Sequence, residues 1–138
     1  MEICKIIIDT NLWISLLIGK RLSEMRALCD SEIVRVYFCE ELMMEFLRTT
    51  SREKIQKYVT EEHIKETINL IESSCIKASI KNTAVSSIRD VNDLFLLSLA
   101  DTVRADYILT GDKDLLTIQF HNQTKIVTYN EFCKQGTN

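Results

Sequence analysis

Residues 6–11 read IIIDTN, and residues 12–18 follow at once with LWISLLI. Three β-branched residues in succession suit a strand covered on both faces, as in a parallel sheet between helices, where no side of the strand meets water. LWISLLI has the apolar spacing of a helix that packs back on such a sheet. Asp9 therefore stands at a strand-to-helix junction, where an aspartate can be a helix cap, a metal ligand or a nucleophile. The rest of the chain has to choose among these.

Outward from this stretch the same alternation recurs. Strand-like runs occupy residues 3–8, 34–39 (VRVYFC), 76–80, 107–109 and 126–128. Helical spacing covers residues 12–18, 22–29, 40–49, 53–58 and 61–73, the last with Ile64, Ile68 and Ile71 on one face. A strongly apolar helix is predicted over 90–105 and a brief one over 113–117. About five strands alternating with helices predict the α/β class, with a mainly parallel central sheet, because parallel strands need crossovers and these cover both faces. In such sheets the functional crevice lies beyond the C-terminal ends of the strands, where the strand order reverses.

With 138 residues, no proline, three glycines and no low-complexity tract or repeat, nothing marks a linker, and one domain over residues 1–138 is expected. No apolar run approaches the roughly 18 residues of a membrane span, and MEICKIIID lacks the features of a signal peptide, so a cytoplasmic protein is expected. Five widely spaced cysteines without a C-x-x-C pair read as reduced, mostly buried thiols rather than a disulfide framework or zinc knuckle. Seventeen basic against twenty acidic residues, a net charge of −3, argue against a protein that grips nucleic acid through a general basic surface. They do not exclude a nuclease, since carboxylates loaded with divalent cations become a positive site for phosphates.

The carboxylates fall where chemistry is expected. Asp9 ends the first strand, and Asp112 follows the fourth, in DYILTGDKDLL, just after Thr110 and Gly111. Asp90 and Asp93, three apart in RDVNDLFLLSLA, share the first turn of a helix near the positive end of its dipole. From CEELMMEFLRT a further acid is expected, with Glu40, Glu41 and Glu45 competing. Convergent carboxylates repel unless a cation neutralises them, and an acidic set without histidine or cysteine favours hard Mg²⁺ or Mn²⁺. Phosphodiester hydrolysis fits that arrangement, whereas His63 and His121 lie away from these strand ends. Each acid also has a plain structural reading. Asp9 and the Asp90–Asp93 pair could cap helices, Glu45 could be a solvated neighbour of Arg48 and Thr49, and Asp112 and Asp114 could belong to a turn and cap beyond Gly111, itself read as supplying a special backbone conformation. Acids after strands one and four and at a helix entrance, all facing one crevice, shift the balance toward a site. Lys20, Arg21, Arg48, Arg52 and Lys113 are candidate contacts for RNA phosphates, each equally readable as a surface charge. Trp13, Leu16, Leu17 and Met43 or Met44 are candidates for an apolar groove that takes a partner's helix, with core packing the commoner role.

In order and spacing, IIIDTN, the Glu in MMEFLR, RDVNDLFLLSLA and ADYILTGDKDLL resemble the four acidic motifs of the PIN domain, over essentially the whole chain. The likeness is nearest to small prokaryotic PIN proteins of the VapC type, toxin components of toxin–antitoxin pairs. The resemblance implies a three-layer α/β/α fold and a Mg²⁺- or Mn²⁺-dependent endoribonuclease, a homodimer held in check by an antitoxin protein. It further implies that Asp9, Glu45, Asp93 and Asp112 are the metal-binding, catalytic acids, with Asp90 and Asp114 as supports. Thr110 matches a hydroxyl that hydrogen-bonds within the site, and Asn11 a polar residue that steadies it. One departure is visible: where the family commonly has a D-P-D-D type run, this chain has Asp90-Val91-Asn92-Asp93, one carboxylate fewer for a second ion. A phosphatase of the haloacid dehalogenase type would need an acid at Asn11, and a response-regulator receiver an Asp after strand three, where ASIKNTAV has none. The remaining alternative is a catalytically weak or inactive PIN-like module that binds RNA or protein.

Overall fold

In the computed structural model, which describes residues 2–81 and 91–136, IIID closes the central strand of the sheet. The chain runs β1 (Cys4–Ile8), α1 (Thr10–Ile18), α2 (Leu22–Cys29), β2 (Val34–Phe38), α3 (Glu40–Thr50), α4 (Glu53–Gln56), α5 (Glu61–Ser74), β3 (Ile76–Lys77), α6 (Val91–Val103), β4 (Tyr107–Leu109), α7 (Lys113–Ile118), β5 (Phe120–His121), β6 (Thr124–Val127) and α8 (Tyr129–Gly136). Among the described residues six strands form one sheet in the order β3-β2-β1-β4-β6-β5. Every pairing is parallel except β5 with β6. The chain adds β2 and β3 on one side of β1 and then crosses to β4 on the other, so the order reverses at β1 and β4. Ile8 pairs there with Leu109.

Side chains alternate across β1, and this builds two cores. Ile6 and Ile8 pack with Trp13, Leu17, Met25, Leu70, Ile71 and Phe132, beneath α1, α2, α5 and α8. Ile7 faces the other way, into Leu96, Leu97, Ala100, Ile108, Leu115 and Ile126, beneath α6 and α7. α3 spans both, with Leu42 in the second core and Phe46 in the first. The result is the expected α/β/α sandwich around a mainly parallel sheet. Ile6 and Ile7 are both fully buried. Truncating either to alanine would cost about 2–5 kcal/mol.

Several elements differ from the sequence reading, each for a local reason. The strand expected at 76–80 is paired only at Ile76 and Lys77, both exposed at the sheet's edge with a single neighbour, and one further bond joins Ala78 N–H to the Phe38 carbonyl at 2.9 Å. The helix expected through Ala105 stops at Val103, because Arg104 takes a left-handed φ of 57° and the Ala105 N–H returns to the Ala100 carbonyl at 3.0 Å. Its predicted first residue, Asp90, lies outside the described residues. A single strand was expected at 126–128, but a hairpin of β5 and β6 forms, aided by positive φ at Gln119 (67°) and Asn122 (54°). α8 was not anticipated, although its start carries a capping box. The Thr128 Oγ1 accepts from the Glu131 N–H at 3.1 Å, and the Glu131 carboxylate accepts from the Thr128 N–H at 3.3 Å.

Trp13, Leu16 and Leu17 are core residues, which removes them from any surface groove; Met44 and Leu47 of α3 are the apolar side chains exposed nearby. Two of the five cysteines, Cys29 and Cys39, are buried, fewer than expected. Among the described residues no helix is long and apolar enough to cross a membrane.

Candidate active site

The reversal of strand order opens a crevice above the C-terminal ends of β1 and β4, and the first residue beyond each strand is polar. Asp9 remains tied to the sheet through its N–H, which donates to the Leu109 carbonyl at 3.0 Å. Thr110 is tied likewise to the Val127 carbonyl at 3.0 Å. The two side chains meet. The Thr110 hydroxyl donates to Asp9 Oδ2 at 2.8 Å, and Thr110 Oγ1 accepts the Asp112 N–H at 3.0 Å. Thr110 thus has its proton committed to Asp9 and a lone pair committed to the Asp112 backbone, which sets the carboxylate's orientation from below.

Asp9 also caps α1: Oδ1 accepts the Asn11 N–H at 3.2 Å, and the helix begins at Thr10 rather than near Leu12. The cap and site readings of Asp9 are therefore compatible, because one oxygen serves the helix and the other points to Thr110. Only 4% of Asp9 is exposed. Burial pushes its carboxyl above the usual carboxylate range, the hydrogen bonds from Thr110 and Asn11 oppose the rise, and the negative charge of Asp112 adds to it. Among the described residues Asp9 forms no ion pair. It is a buried acid held by neutral donors beside a second acid, an arrangement that a divalent cation would relieve.

Asp112 caps α7, accepting the Asp114 N–H on Oδ1 at 2.9 Å. Asp114 contributes through its backbone, and its side chain is exposed. Asn11 also steadies Asp9 through its N–H rather than through its amide, which is exposed at the rim of a cleft of about 370 Å³ lined by Asn11, Leu12, Ser15, Gly111 and Asp112. Gly111 has no positive φ, and a Cβ there would meet nothing within 4 Å, so no special backbone conformation requires it. Its missing side chain instead leaves the cleft wall open. Ser15 was not singled out from the sequence. The signal was its position four residues after Asn11, on the same helical face.

The other two acids stand on neighbouring helices. Glu45, half-buried on α3, receives the Thr49 hydroxyl on Oε1 at 3.1 Å and Arg48 on Oε2 at 2.7 Å. Thr49 is buried and was also missed as a site residue, although four-residue spacing aligns it with Glu45. Arg48 is largely exposed, so its ion pair is weak and exchangeable. Asp93 is half-buried in the first turn of α6, against which α3 packs. Glu40 is exposed and Glu41 half-buried in the first turn of α3. Among the described residues no three acids, histidines or cysteines converge closely enough to hold an ion. Asp9, Thr110 and Asp112 are brought together; Glu45 and Asp93 are not joined to them in one cluster.

The cations divide similarly. Arg21 makes two bonds to Glu24, at 2.6 and 2.9 Å, and lies over the Tyr129 ring at 5.4 Å, while Arg48 is taken by Glu45. Lys20, Arg52 and Lys113 are exposed, and Lys113 opens α7 beside Asp112.

The sequence profile of the PIN domain family matches residues 5–114, from β1 to the first turn of α7. No curated protein matches the chain. The profile covers most of the chain and contains both strand ends of the crevice, and the sheet has the architecture just described. The chain therefore belongs to the PIN domain family, with a nuclease-type, hydrolase fold whose members usually work with divalent metal ions.

Proposed function

We propose that this chain is a Mg²⁺- or Mn²⁺-dependent endoribonuclease, and that Asp9, Glu45, Asp93 and Asp112 are its metal-binding acids. The observation that carries this reading is Asp9: a buried carboxylate that no cationic side chain pairs among the described residues, pressed against the charge of Asp112 at the point where the strand order reverses. The donors are all oxygens, so their chemistry suits the hard cation that the family uses, and Glu45 and Asp93 would have to draw in toward Asp9 and Asp112 to share it. When bound, such an ion supplies an activated water and neutralises charge developing on the scissile phosphate.

The protein's part is positioning. Thr110 keeps its proton on Oγ1 and directs it at Asp9 Oδ2, which fixes the carboxylate plane. The α7 cap holds Asp112 Oδ1, and among the described residues no protein donor occupies Oδ2. Asp93 and Glu45 would complete the set from α6 and α3, Glu45 by exchanging Arg48 for the ion while Thr49 keeps hold of Oε1. Asp90 is placed in the same reading as a support. The cleft beside Asp112, with Asn11 and Ser15 on its wall, is where the RNA backbone would lie, and Lys113, the exposed residue after Asp112, is a candidate phosphate contact. Lys20 and Arg52 are further phosphate contacts in this proposal.

The same reading makes the chain a one-domain, cytoplasmic toxin component, homodimeric and paired with an antitoxin protein. The exposed Met44 and Leu47, on the helix that carries Glu45, are apolar surface that supports a protein partner there. The test is cleavage of an end-labelled, unstructured RNA of mixed sequence. Internal cuts with Mn²⁺ or Mg²⁺ that vanish with chelator are expected, and intact RNA at millimolar metal would overturn the proposal. Glu45, with both oxygens engaged, supports a second reading, a PIN module that binds RNA without cutting it. In that case a gel shift would persist with uncut RNA.

A further inference from the structure

The five thiols are not equivalent. Cys29 is the last residue of α2, Cys75 is the cap that follows α5, and these two helices pack together. Their sulfurs lie 3.8 Å apart although 46 residues separate them in sequence. A disulfide requires about 2.05 Å, so the sulfurs need to approach by a little under roughly 2 Å. Both cysteines sit where a helical ladder ends, and Cys75 has already left the helix, with φ −106° and ψ 156°. Among the described residues no other thiol pair is this close.

We infer that Cys29 and Cys75 are a redox-responsive pair that forms a reversible intramolecular disulfide under peroxide. The sharing of one S–H between the sulfurs eases ionisation of Cys29 and opposes that of Cys75, which makes Cys29 the readier of the two to act as nucleophile. Burial instead pushes Cys4 and Cys39 up to about 11, which disfavours their thiolates. Cys75 is only partly buried, so the pair is not sealed from solvent on its side. The chemistry balances with hydrogen peroxide as oxidant. The Cys29 thiolate attacks one peroxide oxygen and breaks the O–O bond, giving a sulfenic acid and hydroxide, which takes up the proton the thiol lost. Cys75 sulfur then attacks the Cys29 sulfur, its proton leaves with the hydroxyl as a second water, and the S–S bond forms. Two thiols have lost two electrons and two protons, and one peroxide has become two waters.

The position of the pair decides what the bond does. Cys29 and Cys75 precede β2 and β3, at the N-terminal edge of the sheet, while Asp9 and Asp112 lie at the C-terminal edge. Bridging them closes the loop that contains β2, α3, α4 and α5, with Asp9, Thr110 and Asp112 all outside it. The bond acts as a staple on stability. Its test needs no nuclease assay, so it stands apart from the proposed function.

The full chain, fully reduced, is exposed to a modest excess of hydrogen peroxide and quenched with an alkylating agent. Expected are a fall from five free thiols to three, five less the pair, an unalkylated mass lower by about 2 Da, and a peptide joining Cys29 to Cys75. The melting temperature should rise by roughly 10 °C and return on addition of dithiothreitol. Cys29→Ser and Cys75→Ser should each abolish the bridge and the shift, and Cys133→Ser should keep both. Five thiols surviving, sulfinic acid without a bridge, or a bridge through Cys133 would overturn the inference. Should either serine variant fail to fold, the peptide map of the unaltered chain decides alone.

Discussion

The two edges of the sheet carry aspartates in opposite circumstances. At the N-terminal edge Asp106 is exposed and accepts the Lys5 N–H at 2.9 Å, and Asp101 accepts from His121 at 3.0 Å and Asn122 at 2.8 Å. At the C-terminal edge Asp9 is buried, held by an uncharged hydroxyl and an amide, and faces Asp112. The first arrangement fastens the β5–β6 hairpin to α6 and the start of β1 to β4. The second disfavours its own charge, which a protein tolerates where the charge has a use. Space points the wrong way here: clefts of about 660 and 530 Å³ lie at the N-terminal edge, against about 370 Å³ beside Asp112. Concavity alone is a poor guide to a site proposed to take an ion and a flexible polymer, and the electrostatics of Asp9 are the reason for placing that proposal at the C-terminal edge.

The comparison can be broken most severely at Asp9. Asp9→Asn should lower metal-dependent RNA cleavage by about 1,000-fold, the loss of several kcal/mol of charge stabilisation. The same variant should fold, and in chelator melt no lower than the unaltered chain. The introduced amide keeps an oxygen for the Asn11 N–H and offers Thr110 a donor, without a buried charge. A cleavage rate within a few-fold of the unaltered chain would contradict the assignment. Next in size is Thr110→Val, which leaves a buried carboxylate oxygen without its donor. It should cost about 1–3 kcal/mol of stability in urea titrations and slow cleavage as well.

Metal should act on one edge only. Saturating Mn²⁺ at about 100 times its dissociation constant would stabilise the chain by roughly 2.7 kcal/mol, readable as a higher melting temperature that Asp9→Asn and Asp112→Asn both lose. In chelator the pH response should also differ. Asp9 titrates above its ordinary value of 3.8 in the folded chain, so its ionisation destabilises the fold fully at neutral pH. That penalty is relieved as pH falls through the raised value and is gone below the unfolded one. The stability of the unaltered chain relative to Asp9→Asn should therefore improve on acidification across that window, and a constant difference would count against a buried charged Asp9. The smallest effect belongs to the other edge. Asp101→Asn, at an exposed position, should change stability by under about 1 kcal/mol and leave cleavage unchanged.

Much of this was legible in the sequence because parallel sheets write themselves plainly. IIID, VRVYF and YIL are apolar runs of strand length, and the spacing of the helices between them requires crossovers. Short, exposed or turn-dependent pieces were harder. β5 has two residues, one of them the exposed Phe120, and rests on left-handed Gln119 and Asn122, neither of which announces that conformation as glycine would. α8 carries a capping box in VTYNEF, but eight residues directly after a strand are too short an amphipathic stretch to stand out from it. At the site, Asp9, Thr110 and Asp112 were visible from their positions after strands. Ser15 and Thr49 were not, since a hydroxyl four residues along a helix has meaning only once its neighbour is known to matter.

By itself the sequence determined the α/β class, the strand ends on which the acids fall, and membership of the PIN domain family, because all three depend on local order and spacing along the chain. Only the tertiary structure decided which acid is buried, which oxygen faces which donor, and that Asn11 acts through its backbone. It alone brought Cys29 within 3.8 Å of Cys75. Those facts depend on side chains from distant segments sharing one low-dielectric space, and neither burial nor a contact across 101 residues, such as Thr110 to Asp9, leaves a mark in local pattern.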